Sequence, residues 1–580
     1  PESPYEFSVL PADILGQVYE QFLGKVIHLT PGHRAKVEEK PEVRKAGGVY
    51  YTPTYIVDYI VKNTVGKLLE GKTPKTAQSL RILDPACGSG SFLIGAYQYL
   101  LDWHRDIYVE DDPEKYAKGK NPALYQKIRN EWRLTTAERK RILLNNIYGV
   151  DIDPQAVEVT KLSLLLKVLE GESDQTIKSS FKLFHERALP DLGNNIKCGN
   201  SLIGPDYYEG KQTSFLDTEE MQRVNAFDWE KEFPEIFKAG GFDAVIGNPP
   251  WGCFFSSNEK KYLAQNYVNK KGEAESQLYF IEKGFRCLNK NGLLGFITPN
   301  TWLAISNALE TRNFLLSESF IYEIDHLSKY IFNGAPDIVP ILIFLKQHSA
   351  TDRFCIVKSS RLNKVTEYNF NEIFHINEID PHVWLNDINK AINVRSTSEV
   401  LSIIKKCNIR ANKLKNICHV LYGIKTGDND KFLSKSPSKS HAAKALKTGD
   451  VARYSINCKG LYLWWCENLA GYRKSSLEVE KIVIQYIRKI SLPRRIVAGL
   501  DIDRIYYPLN NYSYIVGKDN VYSLKYILGI INSSLINFYF ANTFIDYNIK
   551  PSYLQQLPIH NIDFSNATDK ATHDRKLPLK

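Results

Sequence analysis

No stretch of about 18 uncharged apolar residues occurs anywhere in the 580-residue chain, so no membrane-spanning helix is expected. The opening PESPYEFSVL lacks the basic-then-apolar pattern of a secretory leader. The nine cysteines (Cys87, Cys198, Cys253, Cys287, Cys355, Cys407, Cys418, Cys458 and Cys466) contain no C-x-x-C pair. That spacing argues against a zinc ribbon and against the disulfide framework of a small secreted domain, and reduced thiols are expected. Internal repeats and low-complexity tails are also missing. Together these absences predict a soluble, intracellular chain with no membrane partner and no bound metal.

What is present points to folded domains that meet a polyanion. At 43% hydrophobic and 24% charged residues, a chain of this length is expected to form two or three domains. Lys and Arg exceed Asp and Glu by 75 to 65, and 34 tyrosines are available to stack, which suits a nucleic acid. Residues 1–45 read as a helical and connector segment, with PADILGQVYEQFLGKVI as an amphipathic helix. From 46 to 348 the apolar runs SLRILD, NNIYGVD, FDAVIGN, GLLGFIT and IVPILIFL alternate with helical periods, which predicts an α/β domain with a mainly parallel, doubly wound sheet. A long charged stretch near 111–141 reads as a helical insert. Residues 349–389 read as a linker, and 390–580 as a second domain of α+β character, rich in Lys, Asn, Tyr and Ile.

Two loops compete for a phosphate or cofactor. GKLLEGKT, residues 66–73, matches the P-loop spelling, but a helix precedes it where the mechanism needs a strand; a helix end capped by Gly71 is the expected structure. In RILDPACGSGSFLIGAYQYLL a strand ends at Asp84, Gly88 and Gly90 make a tight turn, and Ser91 opens an apolar helix. Glycines there let backbone N–H groups approach a ligand. Leu93 holds the third position of G-x-G-x-x-G, which disfavours a dinucleotide. The next strand, NNIYGVD, ends at Asp151, where a carboxylate can accept both hydroxyls of a ribose, and Asp153 and Pro154 are expected to cap and open a helix. Upstream, in GVYYTP, Thr52 is expected to cap a helix that Pro53 begins. Farther on, DAVIGNPPW sets Asn248, Pro249, Pro250 and Trp251 at the end of a buried strand.

With GVYYTP, DPACGSGSF, GVDIDP and GNPPW in that order, the chain resembles the gamma-class adenine-N6 DNA methyltransferases. The likeness is greatest to the methyltransferase and specificity parts of type IIG restriction-modification enzymes, whose compact relative is the TaqI methyltransferase. It covers 46–348 strongly and 390–570 loosely. The resemblance implies a Rossmann-like, S-adenosylmethionine-dependent methyltransferase sheet followed by a target-recognition domain that binds double-stranded DNA, in the cytoplasm of a bacterium or archaeon, at the nucleoid.

It also implies residue roles. Thr52 and the loop of Pro85, Ala86, Gly88 and Gly90 would hold the methionine part of the cofactor, with Asp84 near its ammonium, Asp151 on the ribose and Ile152 against the adenine. Asn200 stands nearest to where the family often has an Asp for the cofactor's adenine amino group. Asn248 and the Pro249 carbonyl would accept from the target amino group, Pro250 would stiffen the loop, and Trp251 would stack on an extruded base. Phe344 matches the second stacking aromatic. Methylation of cytosine N4, RNA or a glutamine side chain is a rival reading; the large extra domain favours DNA, and Asn ahead of the prolines favours adenine. Nuclease activity needs a metal-binding P-D and D/E-x-K set. Asp13 with Glu38 and Lys40 has tolerable spacing, but KVEEKPE does not read as a strand, so a nuclease is expected in a segment or subunit outside this chain. A pure binding subunit is opposed by the intact Asn248 to Trp251 run.

Overall fold

A computed structural model describes residues 52–128, 131–170, 190–209, 218–270, 275–327, 331–332, 338–347, 354–360, 374–387, 390–394, 398–465, 469, 474–488, 492–519, 521–544 and 548–574, together with the backbone of 25–29 and 35–39. The chain forms two compact units, Pro1–Val394 and Arg395–Lys580.

The first unit is built on a nine-stranded sheet. In chain order its strands are β1 Ile82–Asp84, β2 Ile147–Asp151, β3 Ile196–Cys198, β4 Phe242–Gly247, β5 Leu288–Pro299, β6 Ser319–His326, β7 Pro340–Gln347, β8 Cys355–Ser360 and β9 Phe374–Ile379. They lie side by side in the order β9-β8-β6-β7-β5-β4-β1-β2-β3. β1 to β5 run parallel to their neighbours within that set, whereas β7 is antiparallel to both β5 and β6. The five apolar runs read from the sequence are β1, β2, β4, β5 and β7. Successive residues alternate between two cores: Ile82, Ile246 and Phe344 join one, Leu83, Val245 and Ile343 the other. Such alternation of apolar side chains requires cover on both faces.

Helices α1 Thr54–Val61, α2 Ser91–Asp111, α3 Thr136–Asn146 and α4 Pro154–Leu169 pack on the first face, and α5 Ser276–Arg286 on the second. The chain leaves β1 toward β2 and β3, then returns to the other side of β1 as β4. In such open sheets the crevice outside the carboxyl ends at the reversal point is where ligands bind. Asp84, Asp151 and Gly247 end their strands on that edge.

Several expectations need correction. The described part of the N-terminal segment is an antiparallel hairpin, Lys25–Leu29 with Ala35–Glu39, so KVEE is strand after all; Asp13, Lys40 and most of the expected amphipathic helix lie outside the described residues. The charged insert holds a hairpin, Leu124–Ile128 with Glu131–Leu134, between α2 and α3. Thr73 caps the short helix Pro74–Ala77, and Gly71 takes a left-handed φ of 70° at the preceding helix end, so GKLLEGKT is helix punctuation. The described residues of 349–389 are not linker: β8 pairs with β6 and β9 with β8. From β8, Lys358 Nζ reaches 2.6 Å from the buried Glu323 carboxylate of β6 and 2.7 Å from the Tyr59 hydroxyl of α1. Burial and the adjacent Glu323 push the Asp325 carboxyl well above the ordinary carboxylate range.

The second unit has α+β character. One four-stranded antiparallel sheet takes the order Cys418–Tyr422, Tyr512–Gly517, Lys481–Gln485, Ala498–Asp501. A second takes the order Leu433–Ser434, Tyr462–Trp464, His441–Leu446, Tyr506–Pro508. The expected helical run is two helices, Leu524–Ile531 and Ser534–Thr543, capped by the Ser523 and Ser533 side chains. Among the described residues no helix is long and apolar enough to cross a membrane.

Candidate active site at the carboxyl edge of the sheet

The turn after β1 is held by the ends of its neighbours. Gly88 N–H donates to Asp151 Oδ2 at 2.8 Å, and Asp153 N–H donates to Oδ1 at 2.9 Å, so one carboxylate ties the turn to the end of β2. Thr160 of α4 donates from Oγ1 to the Gly88 carbonyl at 2.8 Å, and Ser201 Oγ donates to the Pro85 carbonyl at 2.5 Å. Gly90 takes a φ of 89° at the start of α2, and a Cβ there would stand 2.9 Å from Thr160 Cγ2. Backbone strain and that contact predict that Gly90→Ala lowers stability by about 1 to 3 kcal/mol. A melting curve unchanged from that of the parent protein contradicts this.

Two carboxyl groups at this edge are displaced from their ordinary range. Asp84 is buried, and desolvation, with a smaller contribution from the charge of Asp151, raises its pKa to about 8, against the lowering effect of the 3.0 Å bond from Ala86 N–H. Desolvation raises the part-buried Asp151 to about 6, opposed by the bonds it accepts from backbone N–H groups. Ile152 beside it is 48% exposed, an apolar side chain left facing out at the strand end. Asn200 lies just past β3, whose Cys198 is the register partner of Asp151. Its Oδ1 accepts from Leu202 N–H at 3.1 Å, so the amide oxygen serves its own loop.

Gly247, the last residue of β4, lies directly over Asp84: a Cβ on it would stand 2.7 Å from Asp84 Oδ1. Only a residue without a side chain lets the strand pass that carboxyl. Asn248 follows, and its Nδ2 donates to Thr52 Oγ1 at 3.1 Å across 196 residues of sequence. Thr52 is therefore not a helix cap. Pro53 occupies that position with no side-chain bond, and the threonine hydroxyl is spent on Asn248 instead. The Pro250 carbonyl accepts from Ser276 Oγ at 2.5 Å, while the Pro249 carbonyl accepts no hydrogen bond from the described residues. The cap expected of Asp153 and Pro154 is present, with Asp153 Oδ1 accepting from Gln155 N–H at 2.9 Å.

Trp251 is 5% exposed and meets Phe332 edge-on, with ring centroids 5.1 Å apart at 86°. The expectation for Phe344 is corrected. That ring is fully buried in β7, with its ring contacts made to Tyr59 and Tyr322. In register Phe344 is opposite Gly295, which lies opposite Ile246, two residues below Asn248. The aromatic brought to the Asn248 loop is Phe332. Its signal in the sequence was only a Phe just ahead of β7, which strand periodicity does not single out. Among the described residues no group of three or more His, Cys, Asp or Glu could hold a metal ion.

Three family models match the chain in succession. The family model for N-6 DNA methylases matches residues 11–187, that for Eco57I restriction-modification methylases 145–332, and that for TaqI-like C-terminal specificity domains 443–559. Over these segments the chain is similar to the N6 DNA methylases of restriction-modification systems. This methylase is 28% identical over 446 residues to the type II restriction enzyme and methyltransferase RM.Eco57I of Escherichia coli, covering 75% of this chain and 41% of that protein. It is 26% identical to the putative enzyme RM.MjaORFECS2P of Methanocaldococcus jannaschii, covering 91% and 54% respectively. The methylase thus spans about half the length of these relatives. The solved type IIL restriction-modification enzyme MmeI, in complex with DNA, has the same fold at a TM-score of 0.54 and 14% identity, over 97% of this chain and 71% of that one. A nuclease-deletion mutant of the type ISP enzyme LlaGI, with a DNA substrate mimic, gives 0.53 and 13% over 87% and 46%.

Proposed function

We propose that this methylase transfers the methyl group of S-adenosylmethionine to N6 of an adenine in double-stranded DNA. The modified site is selected by the Arg395–Lys580 unit, and the reaction serves a restriction-modification system. The observation that carries the reading is the bond from Asn248 to Thr52: it fixes the amide by its NH2 end, on a proline-stiffened loop beside the turn that Asp84 and Asp151 bracket.

The residues at the edge suit the cofactor. Gly88 and Gly90 give it backbone without side chains, Pro85 and Ala86 shape the turn, Asp84 offers a carboxyl near its ammonium, Asp151 acceptors for its ribose, and Ile152 and Asn200 a rim for its adenine. Bound there, S-adenosylmethionine supplies an electrophilic methyl group on a sulfonium. The work of the chain is to aim the amino group at it. An adenine amino nitrogen is a poor nucleophile because its lone pair is delocalised into the ring. Asn248 Oδ1 and the Pro249 carbonyl, accepting one N–H each, favour a pyramidal nitrogen and stabilise the positive charge that develops on it. The prolines set that geometry beforehand. The base reaches the loop only when extruded from the duplex, and Trp251, with Phe332 beside it, supplies apolar faces to hold it, with stacking worth about 1 to 3 kcal/mol per base.

The test is incubation of the chain with labelled cofactor and unmodified duplex DNA, followed by nucleoside analysis and sequencing. N6-methyladenine confined to one sequence motif is expected. Label in N4-methylcytosine in place of N6-methyladenine, or no label in the DNA, overturns the proposal.

A further inference from the structure

The loop that follows Asn248 turns back through Pro250, Trp251, Gly252 and Cys253. Gly252 has a φ of 71°, the left-handed value that the third position of a type II turn requires. Such a turn is commonly closed by a bond from the N–H of its fourth residue to the carbonyl of its first. Here that bond is replaced. Ser276 Oγ donates to the Pro250 carbonyl at 2.5 Å and accepts from Cys253 N–H at 3.1 Å, so one hydroxyl is wedged between the two ends of the turn. Ser276 is fully buried and is the first residue of α5, whose Leu278, Tyr279, Phe280 and Ile281 are also buried. The hydroxyl is therefore a fixed peg on a rigid element.

We infer that Ser276 is a positioning residue for methyl transfer: its hydroxyl holds the Pro250–Cys253 turn open and thereby sets the pose of Trp251 and of the Pro249 carbonyl. The inference rests on the function proposed above. Its physical basis is geometric. Without the hydroxyl, the Pro250 carbonyl and the Cys253 N–H are left to find each other, and the turn closes by about the width of one oxygen atom. The residue at its second position is Trp251, and the residue before its first is Pro249, so both move with it. A misplacement of about 1 Å at a reacting geometry costs roughly a hundredfold in rate. The two hydrogen bonds of this hydroxyl go to Pro250 and Cys253 and not to the turn after β1, so donor binding is expected to be unchanged.

The experiment compares Ser276→Ala, Ser276→Thr and Gly252→Ala with the parent chain and with Asn248→Ala, on DNA carrying the motif found by sequencing. Three quantities are read: kcat and KM for each substrate, cofactor affinity by calorimetry, and the melting curve. For Ser276→Ala, kcat is expected to fall about 10- to 100-fold with cofactor affinity within twofold of the parent. Ser276→Thr, which keeps a hydroxyl, should recover at least half of that loss on a logarithmic scale. Gly252→Ala strains the same turn from its exposed side and should lower kcat in the same manner, so it decides the matter if the threonine does not fit the buried site. A kcat for Ser276→Ala within twofold of the parent, a loss of cofactor affinity parallel to the loss of rate, or a folded Ser276→Thr no better than the alanine overturns the inference. If the parent methylates DNA and Asn248→Ala does not, the functional reading stands and Ser276 is judged alone. A parent that methylates nothing removes both.

Discussion

Asn248→Ala is expected to lower methyl transfer at least a hundredfold while changing cofactor affinity less than threefold. The effect is large because, in the proposed reaction, the amide oxygen acts where charge appears in the transition state, and deleting one such preorganised group costs about 10²- to 10³-fold in comparable sites. Cofactor affinity is expected to change little because the turn after β1 is held by Asp151, Thr160 and Ser201, and losing the Asn248 amide removes one bond to the Thr52 hydroxyl without removing the hydroxyl. Asn248→Asp separates the two duties of the amide. It keeps an oxygen acceptor, and the Thr52 hydroxyl, which accepts from Asn248 Nδ2, can turn and donate to the carboxylate. The aspartate is therefore expected to retain more transfer than the alanine. Single-turnover rates with labelled cofactor, beside calorimetric affinities, check both statements; an alanine variant with parental rate contradicts the role of the amide.

Asp84→Asn is expected to stabilise the cofactor-free chain at alkaline pH and to weaken cofactor binding. The sign follows from linkage. Burial raises the folded-state pKa of Asp84 to about 8, whereas an unfolded carboxyl titrates near 4. The folded state thus holds a proton that the unfolded state releases. The stability associated with it is fully present below about pH 4 and falls away as pH rises to about 8, by about 1.4 kcal/mol for each pH unit crossed between those limits. An asparagine carries no such proton, so the melting temperature of the variant should exceed that of the parent by several degrees at pH 8 to 9, with the two curves converging near pH 4. Saturating cofactor should narrow the alkaline difference, because a cationic ligand favours the ionised carboxyl. Melting curves across this pH range, with and without S-adenosylmethionine, are the measurement. Curves that stay parallel at all pH values contradict the placement of a proton on Asp84.

Much of the first unit was legible because its strands are buried on both faces. Such strands read as short apolar runs, and β1, β2, β4, β5 and β7 all do. What failed to read had specific causes. β8 and β9, CIVKSS and FHINEI, lie toward the edge of the sheet, where polar residues alternate with apolar ones, so a search for apolar runs passes over them as linker. Thr52 looked like a cap because the same hydroxyl that caps a helix can serve a distant side chain, and only tertiary structure tells which. Phe344 was favoured over Phe332 because the sequence shows an aromatic on a strand and not its height in the sheet; the register with Gly295 supplies that height. Ser276 carried no signal at all, since a serine at the start of a helix reads as ordinary punctuation.

The pairing of β8 with β6 bears on how the methylase half could be excised as an autonomous fragment. A cut at residue 348, where the apolar alternation ends, would remove β8 and leave the backbone of β6 as a bare hydrogen-bonding rim, a ready template for aggregation. It would also strip Lys358 from Glu323, leaving a carboxylate that is 2% exposed with the Tyr59 hydroxyl at 3.1 Å and the Lys67 amine at 3.8 Å, next to an Asp325 already reluctant to ionise. Dissection of the two halves therefore belongs near residue 394, beyond both added strands.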